Sequence, residues 1–453
     1  MNHPPSQVEH ATALAPVADP LATAVALAAT SRDPYLLYEH QGRVSFAEGE
    51  AGVAELGPAG ASLTLDGVRR QLPADEPPLT ALGRAVDALP GCRAHGWASW
   101  ELSRLLHGTG PVTQPVLRLA LPRREVRFAP DGAVRLRAES AEALAALTAR
   151  VRAAEATATA ADTVARHRDR VTADLDQHGA DSYRRTVAAA IRDIRAGRLE
   201  KVIVSRRVPV PADIDLPASY LVGRRANDAA RSFLLRSGGW ELAGFSPEIV
   251  TQVTADGTVR AQPLAGTRAL AGDLVGDLAR RAELYRDAKE VYEHAVSVRL
   301  AAEELRHVCA PDTVRIDDFM SVSERGSVQH LASRLSGRLA ERATRWDALA
   351  ALFPAVTASG IPKRAAYDWI AEHESTERGL YSGAVLTLDG DGSLDAALVL
   401  RSVYRRDGRT WLRAGAGVVA QSDPERELEE TREKLRGVGR CLVPATLPEP
   451  VVS

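Results

Sequence analysis

Lysine is nearly missing from this chain. Of 57 basic residues among 453, only Lys201, Lys289, Lys363 and Lys434 are lysines, and the other 53 are arginines. A bias of this kind, as a GC-rich genome imposes, exchanges lysine for arginine wherever either cation serves. Lysine is a compact point charge whose pKa falls readily on burial, whereas arginine stays protonated, so lysine alone can act as a base. The four survivors are therefore candidates for chemistry or tight geometry, with chance retention as an equal alternative until their surroundings are weighed.

Other scarcities exclude whole classes. Cys92, Cys309 and Cys441 are odd in number and far apart, which excludes a disulfide framework or a CxxC metal pair and fits a reducing cytoplasm. A formal net charge of −2 leaves no basic footprint for nucleic acid or an anionic membrane. No apolar run approaches membrane-spanning length. The Ala-rich stretch within residues 1–30 has no preceding Lys or Arg and is interrupted by Pro16, Asp19 and Pro20, so it does not read as a signal peptide. No lysine precedes Ser or Thr, and neither HExxH nor GxSxG occurs, which removes P-loop, zincin and α/β-hydrolase chemistry.

What is present is a globular composition, 45% hydrophobic and 26% charged, suited to small-molecule chemistry. Residues 1–22 are Pro- and polar-rich and read as disordered, and residues 23–453 read as one domain without a linker. Short apolar runs between 35 and 136 predict antiparallel strands, and 141–170 and 181–195 predict helices. Further strands are expected at 202–208, 232–235, 248–253 and 258–261, then one long helix over 278–308. Strands over 328–339, 381–388, 396–403 and 410–413, a helix over 348–353 and a last helix over 424–440 complete the reading. Hairpin-like succession rather than βαβ alternation gives an α+β class, with large antiparallel sheets flanked by helices. Gly415-Ala416-Gly417 resembles a dinucleotide fingerprint, but the helix that should follow at once begins only at Asp423-Pro424.

Two helices each offer glutamates at i,i+3: Glu290 and Glu293 in one, Glu427 and Glu430 in the other, with Lys434 on the same stripe. Oxygen-only ligation of that kind suits Mg²⁺. Two solvated acidic faces are the plainer alternative and, on pattern alone, the commoner one. His330 alone reads equally as a hydrogen-bonded core histidine, and Thr357 as a packing residue. Lys289 can pair with Glu293 at i,i+4, and Lys363 can brace the loop of Thr357; neither is expected to be catalytic.

Seven segments then change the balance: Glu200-Lys201 to Ser205-Arg206; Ser246-Pro247-Glu248; Pro263-Leu264-Ala265-Gly266-Thr267-Arg268; Phe353 to Thr357 and on to Gly360-Ile361-Pro362-Lys363; Gly379-Leu380-Tyr381-Ser382-Gly383; Gly415-Ala416-Gly417; and Glu427 to Lys434. Together, over residues 183–441, they resemble the chorismate-utilising enzymes, a family that includes anthranilate synthase component I and the aminodeoxychorismate, isochorismate and salicylate synthases. The resemblance implies that family's fold, chorismate as substrate and Mg²⁺ as cofactor. With the charge and cysteine readings above, the expected partner is chorismate alone, with no nucleic acid, membrane or glutaminase subunit, and the expected state is a monomer in the cytoplasm.

Within the family, the resemblance implies water as the nucleophile. Ala265 stands where aminodeoxychorismate synthases carry an attacking lysine, and Lys201 stands where anthranilate synthases carry glutamine. Leu36-Leu37-Tyr38-Glu39 also departs from the tryptophan-site pattern of anthranilate synthases. The run from Ser327 through His330 and the unbroken 353–363 segment look like salicylate synthases of siderophore pathways. Isochorismate synthase without lyase activity is the nearest alternative, then anthranilate synthase component I, then a non-catalytic chorismate-binding paralogue. By the same resemblance Lys201 is the base and Glu248 the acid. Glu293 and Glu430 bind the metal, with Glu290 and Glu427 in support. Tyr381 and Arg401 grip the enolpyruvyl carboxylate, and Lys434 with the backbone at Gly415, Ala416 and Gly417 holds the ring carboxylate. His330, Thr357, Gly266 and Thr267 line the lyase part of the pocket.

Overall fold

The computed structural model describes residues 10–89, 91–325 and 328–445. Its strands form two large sheets, one of 11 strands and one of 12, in which every described pair is antiparallel. Along the strand Tyr35–His40, Leu36 and Tyr38 pack with Trp97, Phe233 and Val385, whereas Tyr35 and Leu37 pack with Val25, Phe46 and Leu147. Successive side chains point to opposite faces, so the first set fills the space between the sheets and the second meets the outer helices. Both faces being covered explains why these strands read as continuous apolar runs rather than as alternation.

The helix Ala288–Val308 lies on the 12-stranded sheet, with Val298, Leu305 and Val308 in its core. The helix Pro424–Gly439 lies on the 11-stranded sheet through Leu435 and Val438. No helix among the described residues is long and apolar enough to cross a membrane.

The expected α+β class and antiparallel sheets stand; three local expectations do not. The single helix over 278–308 is two, Leu274–Arg286 and Ala288–Val308. They meet at Asp287, whose backbone is extended and whose carboxylate accepts from Lys289 N and Glu290 N at 3.0 and 3.4 Å, an N-cap inside an uninterrupted helical pattern. The single strand over 396–403 is also two. Leu394–Leu398 belongs to the 12-stranded sheet and Ser402–Arg406 to the other, and the chain crosses between them at Arg401, whose φ of 49° lies in the left-handed region. Finally, part of the N-terminal segment read as disordered is ordered: His10–Leu14 pairs with Val134–Ala138 at the edge of the sheet, and Pro20–Thr30 is a helix capped by Asp19. Residues 1–9, and Ser327 of the motif run, lie outside the described residues.

Candidate active site

Where the two sheets and the two glutamate helices converge, a cavity opens. Its walls include Glu248, Gly266, Thr267, Glu293, His330, Thr357, Tyr381, Arg401, Gly415, Gly417, Glu430 and Lys434, twelve of the sixteen positions singled out in the sequence. An outer cleft, lined by Thr267, Arg268, Lys289, Glu290, Arg426, Glu427 and Glu430, abuts the cavity. Thr267 and Glu430 face both spaces. The glutamates thus form a partition, with Glu293 and Glu430 on the inner side and Glu290 and Glu427 on the outer.

Glycine makes this closeness possible. A Cβ on Gly417 would stand 1.9 Å from Glu293 Oε1, so only glycine lets that carboxylate reach the strand Arg409–Val418. Gly266 has φ +84° at a bulge in Leu264–Ala269, where a Cβ would crowd Glu290 at 3.2 Å. Over 413–418 the strand pairs on one edge only, with Lys201–Pro209, which leaves alternate backbone N–H groups for another acceptor. Ala416 is fully buried and does not line the cavity; any role it has there must come from its backbone.

Lys201 also lies outside the cavity wall. It is 0% exposed and sits behind Glu293, where its ammonium donates to Ser297 Oγ at 2.9 Å and pairs with Glu293 Oε1 at 3.0 Å. Burial opposes ionisation of Glu293, but Lys201 and Lys289 outweigh it and hold the carboxyl at about 2. Glu430 is likewise held low despite burial, by Lys434 at 2.6 Å and by Lys289. Burial instead lifts Glu427 to about 8 and raises Glu290, with neighbouring carboxylates adding to the shift. Glu290 Oε2 and Glu427 Oε2 are buried without a hydrogen-bond partner. Such orphaned carboxylate oxygens, in a donor set made only of oxygen, fit a hard divalent cation. Among the described residues no three acidic, imidazole or thiol groups already stand as a ligand array, and the ammonium of Lys289 pairs with Glu293 and Glu427.

Glu248 sits across the cavity, fully buried, and accepts a hydrogen bond from Thr357 Oγ1. Burial pushes its carboxyl up to about 8, against the lowering effects of Thr357, the Leu264 backbone, Lys201 and Lys434. His330 bridges Thr267 Oγ1 at 3.1 Å through Nδ1 and Arg401 through Nε2. A guanidinium can only donate, so Nε2 accepts and the Nδ1–H tautomer faces Thr267. Lys363 stays outside the site: it pairs with Glu304 at 2.6 Å and reaches the Leu352 carbonyl, bracing the Thr357 loop against the Ala288–Val308 helix.

Some site residues left no mark in the sequence. Arg413 lines the cavity, and with Arg378 it lies over the Tyr381 ring at 5.4 and 5.6 Å. Both pair with the buried Glu374, and Arg378 also donates to the Ala358 and Ile203 carbonyls, beside Thr357 and the Lys201 strand. The signal available was the i,i+4 spacing of Glu374 and Arg378, hidden among so many arginines.

Known proteins resemble both the fold and the sequence. The crystal structure of anthranilate synthase component I from Streptococcus pneumoniae superposes with a TM-score of 0.72 over 88% of this chain and 92% of that one, at 23% identity. The menaquinone-specific isochorismate synthase of Escherichia coli does so at 0.71 over 96% and 94%, at 21% identity. In sequence, the chain is 42% identical to a salicylate synthase of Mycolicibacterium paratuberculosis over 93% of its own length and 92% of that protein's. It is 38% identical to anthranilate synthase component 1 of Spirochaeta aurantia, of whose length it spans about half, 54%. The family profile of chorismate binding enzymes matches residues 33–439, and with that match the chain belongs to this family.

Proposed function

We propose that the protein is a Mg²⁺-dependent salicylate synthase, which converts chorismate to isochorismate and then to salicylate and pyruvate. The observation that carries this reading is an acid candidate, Glu248, and an inert Ala265 in the cavity wall, with the base candidate Lys201 directly behind the wall residue Glu293, in a chain 42% identical to a salicylate synthase along almost its whole length.

In this reading Glu248 is protonated at neutral pH, because burial holds its carboxyl at about 8, and it gives that proton to the departing C4 hydroxyl. Thr357 fixes the carboxyl through its hydrogen bond. Lys201 takes a proton from the water that attacks C2, for which its ammonium must first leave Glu293 and give up a proton to become the neutral amine. Glu293 and Glu430, supported by Glu290 and Glu427, would hold Mg²⁺, which when bound supplies positive charge for the ring carboxylate. Lys434 and the alternate backbone N–H groups on the open edge at Gly415 and Gly417 complete that grip, while Arg401, backed by His330, forks the enolpyruvyl carboxylate beside Tyr381. Loss of pyruvate then needs an ordered pocket more than another acid or base. A salicylate product is consistent with siderophore assembly in the cytoplasm.

Incubation of the purified protein with chorismate and Mg²⁺, followed by chromatography of the products, tests the reading. Salicylate and pyruvate in equal amounts are expected. Isochorismate accumulating alone would instead assign the first half-reaction only, and anthranilate with added ammonia would overturn the water-using chemistry.

A further inference from the structure

We propose that Lys289 is an internal competitor for the divalent cation: its ammonium and the ion contend for the same carboxylates, and this lysine sets the affinity of the site. The proposal rests on the Mg²⁺ reading above. The side chain is 7% exposed, and its Nζ stands 3.0 Å from Glu293 Oε2, 3.4 Å from Glu427 Oε1 and 3.6 Å from Glu290 Oε1. An exposed i,i+4 pair on a helix is a minor local tie. This lysine is different, because it is buried and one of its three acceptors belongs to the other glutamate helix.

The other cations leave a place for it. Lys201 serves Glu293, Lys434 serves Glu430 and Arg268 reaches Glu290, so among the described residues Lys289 is the salt-bridge partner that Glu427 has. An ammonium carries one charge and three donors, too few for this cluster, and the second oxygens of Glu290 and Glu427 remain buried and unpartnered. A doubly charged ion answers both deficits. It requires the oxygens that Lys289 now engages, and like charges at this range repel. The outer cleft, which Lys289 lines and which does not pass through the substrate cavity, gives both ion and displaced ammonium a route.

Scarcity of lysine supplies the test. In protein labelled with ¹⁵N-lysine, at most four side-chain ammonium signals can arise, and Lys289→Arg identifies one by its loss. Addition of Mg²⁺ without chorismate should shift or exchange-broaden the Lys289 signal as its ion pairs are exchanged for solvent. In parallel, calorimetric Mg²⁺ titration of the full-length protein should show at least tenfold tighter binding for Lys289→Met than for wild type. The thermal midpoint of Lys289→Met in chelator should fall, and it should rise more steeply with Mg²⁺ than that of wild type. If wild type binds Mg²⁺ while its Lys289 signal stays unchanged, the proposal is overturned even should the methionine variant fail to fold. Equal or weaker Mg²⁺ affinity in a folded Lys289→Met overturns it as well. Absence of any Mg²⁺ binding by wild type would instead refute the Mg²⁺ reading itself.

Discussion

Among single residues, Glu248 has the sharpest expected phenotype. In the proposed reaction its proton goes to the leaving hydroxyl, and burial pushes its carboxyl up to about 8, so kcat should fall as pH rises through about 8. In Glu248→Gln that limb should vanish along with at least about 10²-fold of kcat, while circular dichroism stays unchanged. Gly417→Ala should be as damaging although it replaces no ionisable group, because its methyl would occupy the place of the Glu293 carboxylate. Expected are a soluble protein and a weakened Mg²⁺ titration; wild-type Mg²⁺ affinity in that variant would refute the packing argument. The lysines were legible for a physical reason. A composition that discards lysine keeps it where arginine's larger fork does not fit, and Lys201, Lys289 and Lys363 are all buried. Arg378 and Arg413 are as buried and as central, but as two among 53 arginines they carried no signal.

At the scale of elements, periodicity located the glutamate helices but not their limits. A helical pattern continues through Asp287, and only the cap geometry shows that Glu290 lies in a first turn, where the helix N-terminus favours a carboxylate. Asp287 also accepts ion pairs from Arg268 and Arg426 and so ties the two glutamate helices together. Asp287→Ala should therefore cost about 1 kcal/mol of stability as a lost cap. It should also raise the Mg²⁺ concentration needed for half-maximal activity, whereas a cap with no link to the site would change stability alone. The crossing at Arg401 was equally hidden. Strand propensity runs on from Leu394 to Val403, and the left-handed residue that moves the chain from one sheet to the other is an arginine, not the glycine that usually marks such a turn.

For the whole molecule, the sequence motifs span 183–441, yet those residues do not make a closed unit. Tyr35–His40 pairs with Arg231–Ser237, and Ala94–Ala98 pairs with Ala384–Leu388, so the motif-poor first third supplies interior strands to both sheets. A fragment covering 180–445 should therefore expose sheet edges and aggregate; a soluble, cooperatively melting fragment would contradict this account. Antiparallel class and the lack of a linker were legible because they follow from turns and apolar runs. Strand order was not, since nothing local tells a strand which distant partner it will meet. The order also has a consequence for synthesis. Arg409–Val418, the last strand in chain order among the described residues, is inserted between Ser402–Arg406 and Lys201–Pro209, third from one edge of the 11-stranded sheet. Until it emerges, the Lys201–Pro209 strand waits through some two hundred residues of translation with that edge unpaired, an edge open to mispairing on the nascent chain.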